Sequence, residues 1–409
     1  MPQVHQLLAS LGWGDAIGNE VLAIQRVLRD AGYASEIIVE TADRRLEDLT
    51  VDYREMPDML GADDLLIHHF SIGSRASRTG FALPSRMMLV YHNITPPEFF
   101  VGIHQQLVLQ CYHGRRELTA YRQRCELAVG DSEFNRQELV QLGFPVTDVL
   151  APVPGFTHLD VLPDARILDA FDDDWTNVLF VGRVVPSKRP DDLIRFVHAY
   201  RSHFNPRTRL LLAGSYGGFE GYLAQLHTLA ATLGVQDVHI FGQVTNEALT
   251  ALYDVADLFL CASEHEGFCV PLMEAFHKRV PVLAFAAAAV PATMDGGGVL
   301  YETKDPARVA AVMHSLLTDF AWQDRVLLAQ DAALDRLQHR DFAGTLLGLV
   351  RRILDAPRPP MPAVTPDFWK QFAAANELEA LRQYRPSAFR ALPPPPAEGD
   401  AVQDFNLGS

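Results

Sequence analysis

Short apolar runs recur along this chain, and stretches with helical spacing lie between several of them. A first series comprises Val4 to Leu8, Ser35 to Glu40, Asp64 to His69, Met87 to His92 and Leu127 to Gly130. A second comprises Asn177 to Val181, Arg209 to Ser215, Val238 to Gly242, Leu258 to Ala262 and Pro281 to Phe285. Such alternation predicts α/β architecture: a parallel sheet in each half, helices on both faces, and ligands at the carboxyl ends of the strands. Phe156 to Trp175 mixes proline, aspartate and turn residues, so the domain boundary is expected there. The organisation read from the sequence is two doubly wound units, residues 1–165 and 166–356, followed by a proline-rich tail, 357–409.

A chain of 409 residues is too long for one core and suits two domains. It contains no apolar run long enough to span a bilayer, and its N-terminus lacks the basic and apolar regions of a secretory signal. Cys111, Cys125, Cys261 and Cys269 form no metal or disulfide pattern, which fits a reduced, cytoplasmic compartment. The formal net charge of −16 argues against a nucleic-acid partner and gives no general attraction to an anionic membrane. The first lysine in the chain is Lys188, which makes a lysine at that position conspicuous.

Ser263 to Glu274, SEHEGFCVPLME, concentrates the candidate chemistry. Glu266 and Glu274 stand eight positions apart, flanking Gly267, Phe268, Cys269, Val270 and Pro271. The preceding apolar run reads as a buried strand, and Leu272 to His277 as the start of a helix with Pro271 in its first turn. A strand, tight turn and helix N-terminus aim free N–H groups at a crevice, an arrangement suited to phosphate. Arg183 and Lys188 follow a strand ending at Val181-Gly182, where a lysine is a good point-charge ligand for phosphate. The turn after the first strand carries Gly12, Gly14 and Gly18 with Asn19, and His92 closes the fourth strand. Arg115, Arg116, Arg122 and Arg124 lie on one predicted helix. They read as a solvated face paired with Glu117 and Glu126, or else as a patch for a phosphorylated acceptor or membrane surface.

The EGF-x-x-P-x-x-E context resembles the donor-site motif of retaining glycosyltransferases of the GT-B fold, family 4. GRVVPSK is similar to that family's GR-x-x-x-x-K diphosphate clamp, and Gly18-Asn19-Glu20 to its glycine-containing loop. The resemblance runs from about residue 3 to 355 and is most specific over 178–300. It implies two Rossmann-like domains, an acceptor-side N-terminal one and a C-terminal one that binds nucleotide sugar across a central cleft. By resemblance, Glu274 binds ribose and Glu266 the transferred sugar. The amides near Phe268 to Val270, with Gly267 before them, hold sugar and phosphate, Phe241 to Val244 lie near the base, and His92 lies over the sugar ring from the other domain.

The implied activity is retaining transfer of a hexose, GDP-mannose being the favoured donor. The acceptor is a glycan or lipid-linked molecule in polysaccharide or lipopolysaccharide biosynthesis. A phosphorylase, a nucleotide-sugar epimerase or a non-catalytic glycan-binding subunit are the alternatives. No metal or other cofactor is expected, Asp172-Asp173-Asp174 reading as a solvated linker. Location is expected in the cytoplasm, with peripheral contact to the membrane's inner face or a synthase complex left open. Three positions depart from the family pattern. Cys269 and Arg279 replace glycines, and Ala292 replaces a glutamate. In the tail, Pro366 to Tyr384 has helical periodicity and Arg385 onward reads as disordered.

Overall fold

The computed structural model describes residues 2–360, so the expected helix at Pro366 to Tyr384 and the segment beyond it lie outside the described residues. The first sheet contains β1 (Val4–Leu11), β2 (Ile37–Ala42), β3 (Thr50–Asp52), β4 (Leu65–Phe70), β5 (Arg86–Tyr91), β6 (Leu127–Gly130) and β7 (Thr147–Val149). Its order is β3-β2-β1-β4-β5-β6-β7, every neighbouring pair parallel. The second contains β8 (Thr176–Val181), β9 (Thr208–Ala213), β10 (Val238–Gly242), β11 (Leu258–Cys261), β12 (Val282–Phe285) and β13 (Val299–Tyr301). Its order is β10-β9-β8-β11-β12-β13, again parallel throughout.

Both central regions obey the same physics. β4, β5 and β9 are buried along their whole length, because helices cover both faces of a parallel sheet. Sequence reading missed β3, β7 and β13. Each is an edge strand of three residues, too short to show a period. The chain reverses its winding between β1 and β4 in the first sheet and between β8 and β11 in the second. Crevices for ligands open at such switch points. The loops leaving these four strands carry nearly all the candidate residues.

One helix departs from the two-unit division. Phe342–Leu354, assigned by sequence order to the second unit, packs onto the first sheet. Its Leu346, Leu349, Val350 and Ile353 are buried against Val4, Ile24, Leu28, Leu65 and Val90. The cause is a continuous apolar stripe on the helix meeting an open apolar area beside β1 and β4. Burying four such side chains contributes about 6–12 kcal/mol of gross transfer free energy. Arg86 locks the crossing: its Nη1 donates to the carbonyls of Leu354 at 3.3 Å and Ala356 at 2.9 Å, and its Nη2 meets Glu126 Oε2 at 2.5 Å.

Candidate active site

The second-domain wall begins where β8 and β9 end. Gly182 (φ +151°) and Gly214 (φ +150°) pass so closely that a Cβ on Gly214 would lie 2.0 Å from the Gly182 carbonyl oxygen. Only glycine fits both the backbone angle and that approach. The loop then turns through Pro186–Lys188, where Arg189 (φ 54°) leads into helix Pro190–His203. Lys188 Nζ lies 2.5 Å from Glu266 Oε2, with side chains 21% and 10% exposed. The phosphate-clamp lysine and the sugar-contacting glutamate expected from the sequence are thus direct partners. Burial opposes the ammonium charge, but Glu266 outweighs it and holds the Lys188 pKa above its ordinary value. Arg183 is exposed, its guanidinium 5.8 Å from the Phe219 ring centroid, and no ion pair to it is seen among the described residues.

An ionic brace lies behind this pair. Lys304 Nζ donates to Asp192 Oδ2 at 3.0 Å, Glu264 Oε1 at 2.8 Å and the Ala262 carbonyl at 2.8 Å. Arg189 reaches Asp191, Asp192 and Glu264. The two loops that bear Lys188 and Glu266 are therefore tied together before any ligand arrives. Sequence reading missed Lys304, which sits far along the chain in no recognisable pattern.

Helix Val270–His277 starts at Cys269, whose backbone is left-handed (φ 76°, ψ 67°). Arg279 is left-handed too (φ 54°). Both positions that depart from the family's glycines thus keep a glycine-like conformation, each at a cost of about 1–2 kcal/mol. Ala292, the third departure, falls inside the short helix Val290–Met294. Phe268 is buried, and its carbonyl accepts from Thr293 Oγ1 at 2.5 Å. Glu274 is 7% exposed, and both its oxygens are engaged. Oε1 faces His158 Nε2 at 2.9 Å, and Oε2 accepts from Tyr253 Oη at 2.9 Å. The hydrogen bond to Glu274 raises the pKa of His158. Of these two partners, His158 on the connecting segment is the more exposed. Phe241 turns its ring towards Phe171 of helix Ala165–Phe171, centroids 5.8 Å apart. The strand end beside the cleft is Gly242, against Tyr216.

The first-domain wall differs from its expected form. Gly14 (φ 70°) lies in the turn after β1, but Gly18 and Asn19 belong to helix Ala16–Asp30. Their neighbour Glu20 is the residue that turns inward, its Oε2 4.0 Å from His92 Nδ1. The His92 ring is 1% exposed and both nitrogens are occupied. Nδ1 lies 3.0 Å from Asp131 Oδ2, and Nε2 2.9 Å from His69 Nδ1. A ring so enclosed keeps both nitrogens on protein partners. Burial opposes its charge, but Asp131 outweighs that and lifts the His92 pKa to about 9.

The two walls touch. A Cβ on Gly267 would stand 2.9 Å from Asn93 Cβ and 3.2 Å from Asn135 Nδ2. His265 lies near Phe99 and Phe134, and burial, with Arg115 and Lys188 nearby, lowers its pKa to about 3. Phe219 meets Phe100 and His104 at 5.9 and 5.1 Å. The arginines expected on one helix divide: the helix is Gln105–Ala120, Arg122 beyond it is exposed, and Arg115 and Arg124 are drawn into the fold. Arg115 holds the Ile94 carbonyl at 2.6 Å and Glu138 at 2.8 Å, and buried Arg124 caps the carbonyls of Phe81, Leu83 and Ser85. Glu117 and Glu126 instead pair with Arg78 and Arg86. Hydrogen bonds to these carbonyls give the Arg115 and Arg124 guanidinium groups structural roles.

Residues 168–329 match the model of the family glycosyl transferases group 1. A D-inositol 3-phosphate glycosyltransferase of Salinispora arenicola is 38% identical over 162 residues, covering 38% of this chain and 36% of the relative. An O-antigen chain mannosyltransferase B of Escherichia coli is 26% identical over 256 residues, covering 60% of this chain and 65% of the relative. This chain therefore spans between a third and two thirds of the length of these relatives. Among solved structures, Anabaena HepE in complex with UDP-glucose superposes with a TM-score of 0.65 at 18% identity, covering 86% of this chain and 99% of that one. The fold is GT-B. The matched segment contains β8 to β13 and every second-domain candidate named above.

Two clusters have side-chain atoms within 4.8 Å of one another, as a metal site would: Cys261, Glu266 and Cys269, and Glu20, His92 and Asp131. In the first, the Lys188 ammonium already supplies the positive charge. Asp173 and Asp174 pair with Arg209 and Arg207, so the acidic run in the connecting segment is spent on ion pairs.

Proposed function

We propose that this chain is a glycosyltransferase that moves a hexosyl group from a nucleotide sugar to a glycan or lipid-linked acceptor, with retention of configuration. The observation that carries this reading is the Lys188–Glu266 pair at the switch point of the second sheet, inside the segment that matches the family model. A nucleotide sugar's diphosphate would displace Glu266 from Lys188 and take the ammonium, with exposed Arg183 as its second cation. Glu266, released, would face the sugar hydroxyls. Preorganised positive charge of this kind stabilises the leaving diphosphate as the C1–O bond breaks. The acceptor oxygen bonds to C1 from the same face, and its proton passes to the departing phosphate oxygen. No metal is assigned a role.

Mannose remains the favoured sugar, supported by the O-antigen mannosyltransferase relative. The HepE complex makes UDP-glucose the main competitor. Both belong in the test: saturation-transfer NMR on the full-length chain against GDP-mannose, UDP-glucose, UDP-galactose and UDP-N-acetylglucosamine. GDP-mannose is expected to show the strongest contact, and Lys188→Met to abolish it. Binding to none of the four, or binding unaffected by Lys188→Met, would overturn the reading. Among the described residues no helix is long and apolar enough to cross a membrane.

A further inference from the structure

The buried histidines at the end of the first sheet form a hydrogen-bonded row whose proton count can be settled by its ends. Gln6 Nε2 donates to the Val21 carbonyl at 3.0 Å, and a carbonyl can only accept. Flipping the amide would set two acceptors against each other, so Gln6 Oε1 must face His69 Nε2, 3.0 Å away. His69 Nε2 therefore carries hydrogen. One hydrogen lies between His69 Nδ1 and His92 Nε2, at 2.9 Å. At the far end His92 Nδ1 faces Asp131 Oδ2 at 3.0 Å, and an ionised carboxylate requires a third hydrogen there. Three hydrogens on four ring nitrogens give the pair one positive charge.

Electrostatics assigns that charge to His92. Asp131 adjoins His92 directly, Glu20 is 4.0 Å away and Asp15 also acts on it, whereas among the described residues His69 faces Gln6, His92 and neighbouring His68. Two buried carboxylates cannot both stay ionised cheaply. Asp131 Oδ2 lies where it receives the Nδ1–H of His92. Glu20 Oε1 is buried with no partner among the described residues, and burial with the Asp131 charge raises the Glu20 pKa to about 8.

We propose that His92 is a standing imidazolium, kept doubly protonated by a relay anchored at the Val21 carbonyl, and that Gln6 and His69 are its positioning residues. The relay goes beyond the transferase reading and does not depend on it. The consequence is mechanical as well as electrostatic. His92 precedes Asn93, whose left-handed backbone (φ 59°) forms the corner on which Gly267 of the opposite domain rests. A charge held at His92 pins that corner to Asp131.

The test is histidine protonation measured by long-range 1H–15N correlation on full-length protein labelled with 15N-histidine. At pH 7.5 His92 should show both nitrogens protonated and His69 only Nε2. Gln6→Met removes the anchor, frees His69 to take the other tautomer, and should lower the His92 midpoint by about one pH unit or more. Asp131→Asn, which keeps the shape of the site, should leave His92 neutral at pH 7.5, and decides the matter if Gln6→Met does not fold. Three results would overturn the proposal. They are neutral His92 in the wild type at pH 7.5, no change in His92 in a folded Gln6→Met protein, and an Nδ1 hydrogen that appears only after chelation. The last would reveal a divalent cation in place of the proton.

Discussion

Lys188→Met separates the structural and ligand-binding roles of one side chain. In the wild type the ammonium and Glu266 are 2.5 Å apart with little solvent between them. At an effective dielectric constant of about 20 their gross attraction is about 6–7 kcal/mol, most of it offset by desolvation. Removing Lys188 leaves the Glu266 charge without its counterion, which costs about 3–5 kcal/mol for a buried pair. With a fifth of the Lys188 side chain exposed, the lower end, about 3 kcal/mol, is expected. Lys188→Met/Glu266→Gln removes both charges and should recover more than half of that loss. Urea unfolding of wild type, both single variants and the double variant closes the cycle. Because the folded pKa of Lys188 is raised, the pair's contribution is complete below the unfolded lysine value of about 10.4 and is lost only as pH rises past the folded one. The stability gap should therefore be flat from about pH 6 to 9. Nucleoside diphosphate affinity, measured by calorimetry, should fall at least about tenfold, or about 1.4 kcal/mol, in both lysine variants. Stability of Lys188→Met within about 0.5 kcal/mol of wild type, or full nucleotide affinity in the double variant, refutes the argument.

Three further outcomes are expected. Leu346→Ala should destabilise the first domain by about 2–5 kcal/mol, seen as an early transition in calorimetry, because the last helix closes that core although it follows the second domain. Glu274→Gln should lower the His158 titration midpoint by NMR. In the wild type this ion pair's stability is full below the ordinary histidine value near 6.5 and is lost as pH rises through the raised folded one, so the variant should lose that pH dependence. Sugar transfer in excess chelator should match that in added manganese or magnesium, and loss of turnover restored by either ion would place a metal in the reaction.

Local pattern determined the greater part of the architecture. Apolar runs of four to eight residues between helical stretches specify buried parallel strands whatever surrounds them, and ten of the strands were legible in this way. The spacing of Gly182, Arg183, Lys188, Glu266 and Glu274 marks a candidate site in the sequence, because strand-to-helix turns that meet a phosphate reuse a small set of residue types. Tertiary structure alone decided which of these side chains touch. Lys188 and Glu266 are 78 positions apart in sequence and meet only because β8 and β11 are neighbours in the sheet. His158 reaches Glu274 across 116 positions, and Gly267 rests on Asn93 of the other domain. His92 shows the difference most plainly. Its strand-end position was readable, but its burial between His69 and Asp131 depends on three strands that share no local signal. The last helix obeyed its own amphipathic period and still chose a sheet that sequence order did not indicate. A helix stripe specifies that it must be buried, and only the packed molecule specifies where.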